Sequence, residues 1–350
     1  MCRDAEGSAL IVVLWVIALL GMLVGSFAFE SRIEARLTSY YRNRTKADYL
    51  ARSGLDISEL LMSKAEVLGG TEYDEAKAGE DSWYKYAKSL AEGVEVLVEH
   101  DLKEVGVGEG IIRVRITPEP ARINLNTISK KSEESDKIWE GLLEVAGIPE
   151  EMWSGLIESF YDWTDKDDTP LPDGAESDDY YANLDPPYMA KNGPIDTVGE
   201  LLLIKGFTRA ILDGGVLSEG AFEDSTIRSS GIRDMLTTYG DGKINVNAAS
   251  IRVLRALFGV DEDLAGLVVD ERNGFPDERG VSHDEPFKNE SDFFSRLPEL
   301  GGISKSKVTT QSAIYRITST GEINGVPRSF WCIVRYANKD VTILRWREDD

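Results

Sequence analysis

The sequence is poor in cysteine, histidine and basic side chains. Its two cysteines, Cys2 and Cys332, are too few for a disulfide framework. Cys332 lies in an apolar run, residues 330–334, which predicts a buried structural thiol. The two histidines, His100 and His283, are far apart in the sequence. The sequence therefore gives poor support to histidine-based catalysis or a zinc site.

The charge balance is strongly acidic, with 39 basic against 62 acidic residues and a net charge of −23. Such a chain repels polyanions, so we predict that nucleic acid is not a partner. Solubility, divalent-cation binding and a basic partner are three open explanations of the acidic surface. The length of 350 residues is enough for two or three cores.

The N-terminal region contains one long apolar run, because residues 8–29 include no charged side chain. About 20 such residues in a helix cross the hydrocarbon core of a bilayer. A cleaved secretory signal is the alternative, and the small residues at 25–28 offer a cleavage site. The apolar core of a signal is usually about 7–15 residues, which is shorter than this run. We therefore predict a membrane anchor.

Beyond residue 29 the pattern becomes amphipathic and is not interrupted by proline. Small and apolar residues recur at three- and four-residue spacing, which is typical of one helix face. They are Ala47, Leu50, Ala51, Gly54, Leu55, Ser58, Leu61 and Met62. This pattern predicts a single helix over 8–68, half of it in lipid and half packed on a soluble domain.

Alternating apolar residues predict strands near both ends of the soluble part. Residues 94–98 and 111–116 alternate before Pro118 and Pro120, which end the sheet. Residues 313–323 and 327–337 flank Asn324–Gly325, a strong hairpin signal, and 341–346 is a plausible last strand. We predict one antiparallel sheet, built from 69–119 and 308–350 and split by an insertion over 120–307.

The predicted insertion contains an internal repeat. Residues 123–129 read Ile-Asn-Leu-Asn-Thr-Ile-Ser, and residues 244–250, at an offset of 121, read Ile-Asn-Val-Asn-Ala-Ala-Ser. The second copy resembles the helix-hairpin-helix repeats of DNA-uptake receptors, but its acidic flanks argue against DNA binding. Asparagine at a strand-to-helix junction supplies cap and turn hydrogen bonds, so we predict a packing role. The fold class is α+β, with two helix-hairpin-helix-like repeats in an inserted α-helical domain.

An acidic loop lies between the two repeats. Residues 162–185 include nine acidic residues and one lysine. Calcium takes six to eight oxygen ligands, and a loop bent by glycine and proline can supply them. The spacing is not that of an EF-hand, so a metal site and a merely solvated loop both stay open. A glycosidase-type carboxylate pair lacks any second motif, so we predict no catalytic residue, no cofactor-binding residue other than metal ligands, and no enzymatic activity.

Residues 6–14 resemble a type IV prepilin processing site. By that resemblance residues 1–7 form a leader, a prepilin peptidase cuts between Gly7 and Ser8, and the new amine of Ser8 is methylated. Most pilins carry glutamate at the fifth mature position, which here is Val12. A carboxylate there is thought to pair with the amine of the subunit assembled just before. With the split sheet, inserted repeats and acidic loop, Val12 identifies the chain as similar to the K minor pseudopilins of type II secretion.

The resemblance implies a function at the tip of the secretion pseudopilus, where the subunit helps initiate assembly and caps the filament. It implies as partners the I and J minor pseudopilins, the major pseudopilin, the prepilin peptidase and the membrane. The location implied is the bacterial inner membrane, spanned once, with a periplasmic soluble domain. Taken by themselves, the charged residues that flank the span favour the opposite orientation to a periplasmic soluble domain. A minor or tip pilin of a type IV pilus, or of a DNA-uptake pilus, is the alternative.

The acidic loop is also similar to the calcium-binding loop of the K pseudopilins. That resemblance implies one or two calcium ions. It implies candidate ligands among Asp165, Asp167, Asp168, Asp173, Glu176, Asp178 and Asp179.

Overall fold

The computed structural model describes residues 5–69, 82–104, 108–218, 226–274, 285–337 and 340–349. Helix α1 runs over Ala5–Gly69 without a break, which confirms the single long helix predicted from the sequence. Its apolar N-terminal half is exposed. Within the described ranges, it is the one helix that is long and apolar enough to cross a membrane. Residues 68–81 are rich in glycine and charge, which predicts a connector, and they lie almost wholly outside the described residues.

The sheet is antiparallel and has five strands, in the order β1, β2, β9, β10, β11. These strands are β1 (Val96–Asp101), β2 (Ile111–Pro118), β9 (Ile314–Ile323), β10 (Val326–Ala337) and β11 (Asp340–Asp349). Strand β2 pairs directly with β9, almost 200 residues later, so the predicted splitting of one sheet is confirmed. Asn324 and Gly325 both have positive φ, as a two-residue hairpin turn requires.

The C-terminal half of α1 packs on one face of this sheet, beside helix α2 (Ser82–Ala91). The face predicted from the spacing is the buried one, with Ala47, Ala51, Ser58 and Leu61 all buried. Alternate side chains of the strands complete the core, among them Val98, Val114, Ile116, Ile317, Phe330 and Cys332. Cys332 is a buried free cysteine, as predicted, and burial raises the pKa of its thiol to about 12.

Small residues let α1 lie very close to β9. The Ser319 hydroxyl donates a hydrogen bond of 2.7 Å to the Ala51 carbonyl of the helix. A Cβ atom added at Gly54 would lie 2.0 Å from Ser319 Oγ. One added at Gly321 would lie 2.3 Å from the Ala47 carbonyl. Both contacts are shorter than any real one, so glycine is required for this packing.

The chain between β2 and β9 forms a second, mainly helical, set of elements. Its helices are α3 (Glu133–Val145), α4 (Trp153–Thr164), α5 (Arg209–Asp213), α6 (Ile251–Phe258), α7 (Glu262–Asn273) and α8 (Glu290–Arg296). Its short strands are β3 (Ile123–Asn124), β4 (Gly215–Ser218), β5 (Ile227–Ser229), β6 (Leu236–Thr237), β7 (Ile244–Asn245) and β8 (Val308–Thr309). They enclose a hydrophobic core of their own, around Trp139, Phe160, Leu254 and Phe293. The α+β class is thereby confirmed, while the exact domain boundaries stay a prediction.

Each copy of the sequence repeat forms a short strand followed by a pair of helices. The pairs are α3 with α4 and α6 with α7, and each turn contains a glycine of positive φ, Gly147 or Gly259. The two copies meet where α3 crosses α6. An added Cβ at Gly141 in α3 would lie 2.5 Å from the Ala256 carbonyl of α6, so the helices touch at their backbones.

The repeated asparagines form matching clamps. Asn126 donates to the Ile195 carbonyl and accepts from the Ile195 N–H, at 3.0 and 2.8 Å. Asn247 does the same with Phe287, at 2.9 Å in both directions. The earlier asparagine of the second copy, Asn245, donates to the Gly93 carbonyl beside the sheet. The predicted packing role of these asparagines is confirmed.

A buried carboxylate joins the sheet to the inserted elements. Glu119, directly after β2, is fully buried and accepts two bonds from Arg316 of β9, at 2.7 and 3.0 Å. It also accepts from Arg122 at 3.3 Å and from the Thr237 hydroxyl of β6 at 2.6 Å. Glu119 therefore fixes the sheet and the insertion to each other.

Candidate metal centre

The acidic loop begins at the C-terminal end of α4 and is folded by one buried carboxylate. Asp162 accepts hydrogen bonds from the N–H groups of Leu171, at 3.1 and 3.2 Å, and of Ala175, at 2.8 Å. Gly174 passes so close that an added Cβ would lie 2.0 Å from Asp162 Oδ2. Burial raises the pKa of Asp162. This side chain bends the loop back over the end of the helix.

Aromatic rings and a second buried network form the floor of the loop. The Trp163 ring packs edge-on against Tyr181, with centroids 5.1 Å apart. Its indole N–H donates to Glu200 at 3.0 Å, and Glu200 also accepts from Lys191 at 3.0 Å. The floor therefore ties α4 to the chain that returns after the loop.

Three buried oxygen atoms near this floor have no hydrogen-bond donor among the described residues. They are Asp165 Oδ1, Glu176 Oε1 and Asn192 Oδ1. A buried acceptor without a donor is costly, and a cation would satisfy it. Asp165 follows the last residue of α4, and Glu176 lies on the far side of the loop. Asn192 has a positive φ of 48° and belongs to the returning chain.

The pKa values of Glu176 and Asp165 reflect their burial and the negative charges beside them. Burial, together with the charges of Asp162, Asp165 and Asp168, raises the pKa of Glu176 to about 7. Burial, with the charges of Asp167 and Asp162, raises the pKa of Asp165 to about 6. Both carboxyl groups therefore ionise at a higher pH than usual, and a bound cation would favour their ionised forms.

The exposed candidate ligands lie around the three unsatisfied oxygens of Asp165, Glu176 and Asn192. Asn192 donates to the Asp167 carbonyl at 3.2 Å and to Asp168 Oδ1 at 2.9 Å, which brings both residues to the Asn192 side. Asp179 Oδ1 accepts from the Glu176 N–H at 2.8 Å. Asp178 is exposed, and its carbonyl accepts from Asn183. These four aspartates reach solvent and could turn towards a bound ion.

Asp173 lies at the other end of α4. Its carboxylate accepts from the Ser154 hydroxyl at 2.6 Å, and its N–H donates to Glu158. Ser154 and Asp165 are eleven residues apart, or about 16 Å along a helix. The structure therefore holds the Asp173 carboxylate at the opposite end of α4 from Asp165.

Across the described ranges, no three histidine, cysteine, aspartate or glutamate side chains already form a metal cage. The fit to a cation rests instead on the three unsatisfied oxygens, two from carboxylates and one from an amide. All are hard oxygen ligands, which suit calcium better than zinc. Asp165, Glu176 and Asn192 are therefore the candidate ligands that the structure favours, and Asp168 lies beside them through its bond from Asn192.

Sequence reasoning missed three residues of this site. Asp162 and Asn192 were not among the candidate ligands, and Glu200 lies outside the acidic run. Asp162 is part of the acidic run, but only its bonds to Leu171 and Ala175 reveal that it organises the loop. The dipeptide Asn192–Gly193 is a turn signal, and such signals can mark a positive φ.

This chain is similar to known proteins that are described as protein K of type II secretion systems. Residues 121–214 match the family described as "Type II secretion system (T2SS), protein K". A type II secretion system protein K of Pseudomonas aeruginosa is 26% identical over 305 residues, which cover 86% of this chain and 79% of that protein. One from Klebsiella pneumoniae is 24% identical, covering 65% of this chain and 66% of that protein.

A solved structure has the same fold. It is a chain from the GspK-GspI-GspJ complex of the enterotoxigenic Escherichia coli type 2 secretion system. The TM-score is 0.56 at 16% identity, and the match covers 91% of this chain and 99% of that one. At this identity the match establishes the fold alone.

Proposed function

Because this chain belongs to the family of type II secretion system protein K, we propose that it is the tip subunit of the secretion pseudopilus. In this role it helps to initiate assembly and caps the filament. The family is one of structural pseudopilins. Its partners would be the I and J minor pseudopilins and the major pseudopilin. The similar Escherichia coli structure is of a GspK-GspI-GspJ complex.

The observation that carries the tip assignment is Val12 on the exposed apolar half of α1. An unpaired carboxylate at mid-membrane depth costs roughly 2.5–3.5 kcal/mol on insertion scales. A subunit with nothing assembled above it has no terminal amine for such a carboxylate to pair with. Valine at this position removes that cost. The helical insertion beyond the sheet adds bulk that would obstruct a further subunit above.

We expect this protein only at one end of the pseudopilus. Filaments assembled by cells that overproduce the major pseudopilin would be labelled with gold-coupled antibody against this chain. One label per filament, at an end, is the expected result. Antibody against the major pseudopilin, as a control, should label the whole length. Gold along the sides of the filaments with the first antibody would contradict the tip assignment.

The anchor is proposed to be processed and inserted in the inner membrane, with the soluble part in the periplasm. Mass spectrometry of membrane-extracted protein should find Ser8, carrying a methyl group, as the N-terminus. The variant Gly7→Asp should retain the leader, because glycine is the residue that the peptidase resemblance places before the cut. An intact Met1 in the unaltered protein would refute the processing proposal.

We also propose that the acidic loop holds calcium, at one site or two. The ion would be held by Asp165, Glu176 and Asn192 with help from the exposed aspartates. When bound, it would neutralise crowded carboxylates and satisfy the three oxygens that have no donor. It would thereby fasten the end of α4 to the chain that returns at Asn192. The stability of the insertion would then depend on calcium.

A further inference from the structure

A cleft of about 480 Å³ lies between the outer face of the sheet and the inserted elements. The sheet contributes Arg316, Trp331, Ile333, Arg345 and Arg347. The insertion contributes Arg233, Asp213 and the polar run 237–239. Four arginines thus line one cleft of a chain whose net charge is −23. This volume is within the range of sites that bind small molecules or short peptide segments.

Two of the four arginines already have carboxylate partners. Arg316 forms its paired bonds with Glu119, and Arg233 pairs with Asp213. The backbones of Arg345 and Arg347 pair with β10, but their guanidinium groups form no ion pair or hydrogen bond with the side chains that the structure describes. On the same sheet face, by contrast, Arg113 pairs with Glu99 and Glu322, and Arg115 pairs with Glu95. The cleft is therefore one place on this face where positive charge is not neutralised by the side chains that the structure describes.

Trp331 holds one of these arginines against the wall of the cleft. The guanidinium groups of Arg316 and Arg345 lie 5.3 and 5.7 Å from its ring centroid, within the range of a cation–π contact. Arg347 lies directly across from Trp331 in the pairing of β10 with β11. The guanidinium groups of Arg345 and Arg347 therefore lie on one side of β11. That strand is an edge of the sheet, and β10 is its neighbour there.

We propose that this cleft binds an acidic peptide segment of a partner protein. A guanidinium group can donate two parallel N–H bonds to one carboxylate. The neighbouring guanidinium groups of Arg345 and Arg347 therefore match two carboxylates spaced along an extended chain. The chain as a whole repels acidic partners, so local attraction in the cleft selects where such a segment can bind. This inference does not depend on the tip assignment or on calcium.

The test uses the full chain in a nonionic detergent and a fluorescein-labelled peptide of eight glutamates. Fluorescence anisotropy should detect binding, which weakens as salt is added. In the double variant R345Q/R347Q the affinity should fall by about tenfold or more, since two charge-assisted contacts are lost. The matched control is R209Q/R228Q, which removes the same charge from two exposed arginines of the insertion. The control should bind like the unaltered protein.

Arg347 is exposed, so R347Q alone tests the same site without disturbing the fold. It should weaken binding in the same direction as the double variant. Equal binding by R345Q/R347Q and R209Q/R228Q would overturn the proposal. The proposal would also be overturned if inorganic phosphate displaced the peptide when both were present at the same total negative charge. That result would indicate a site for any anion.

Discussion

Replacing Glu119 by alanine should lower the free energy of unfolding by about 3–5 kcal/mol, which is the usual cost of removing one partner from a buried ion pair. The side chain is fully buried and accepts bonds from Arg316, Arg122 and Thr237. Its loss leaves two guanidinium groups without their counter-charge. Burial already lowers the pKa of Arg122, which indicates how poorly its charge is solvated there. Urea unfolding followed by tryptophan fluorescence would measure the change.

The control for this experiment is Glu99→Ala. Glu99 forms an ion pair with Arg113 on the same sheet, at 3.1 Å, but its side chain is 55% exposed. Pairs of that kind contribute about 0–1 kcal/mol. Glu119→Gln, which keeps the size of the side chain and removes its charge, should give an intermediate loss. A loss for Glu119→Ala as small as that for Glu99→Ala would show that Glu119 does not join the two parts.

Calcium should raise the melting temperature of the protein, and by more at pH 8 than at pH 5. A ligand at 100 times its dissociation constant stabilises the folded state by about 2.7 kcal/mol. At pH 8 Glu176 and Asp165 are ionised, so they attract the ion. At pH 5 they are largely protonated, because their pKa values are about 7 and about 6. Melting curves with calcium and with a chelator, at several pH values, would measure both effects.

The calcium-free protein should become less stable as the pH rises from 5 to 8. Both carboxyl groups have pKa values above their ordinary values of 4.5 and 3.8, so the folded state favours the protonated form. That contribution to stability is fully present below about pH 4 and is lost as the pH passes through 6 and 7. Bound calcium should remove this loss, because it stabilises the ionised carboxylates.

Two variants separate the metal site from the rest of the acidic loop. Glu176→Gln should abolish most of the calcium effect and reduce the loss of stability towards pH 8. Asp173→Asn should leave both unchanged, because Asp173 bonds to Ser154 at the far end of α4. A melting temperature of the unaltered protein that calcium does not move at pH 8 would rule out the site.

Much of the fold could be predicted because its signals are local. Alternation identified strands β1, β2, β9 and β10, and the turn at Asn324–Gly325 fixed the register of β9 against β10. The long helix followed from apolar spacing alone. The repeated asparagines were informative in part for the same reason, because Asn124 and Asn245 accept local turn bonds from the N–H groups of Asn126 and Asn247. The clamps to Ile195 and Phe287 are made with distant residues and could not be predicted from the motif.

The remainder depends on partners that are distant in the sequence. Glu119 looks like any surface glutamate until Arg316, 197 residues later, is placed beside it. The acidic loop was found from its composition, but composition treats all its carboxylates alike. Only the folded chain separates the buried Glu176 from Asp173, and adds an amide, Asn192, that carries no charge at all. The absence of nucleic-acid binding stays a prediction.

The close contact of α1 with β9 has a mechanical consequence. The helix has 65 residues and is thus a rod of roughly 100 Å. It meets the sheet at Gly54, which lies against the side chains of Ser319 and Val114, and at Gly321, which lies against the helix backbone at Ala47. A force applied to the apolar N-terminal end of α1 would therefore be transmitted directly to β9, as shear along the helix axis. If the subunit is drawn out of a bilayer, as the proposed function requires, the helix and the sheet would move as one stiff body.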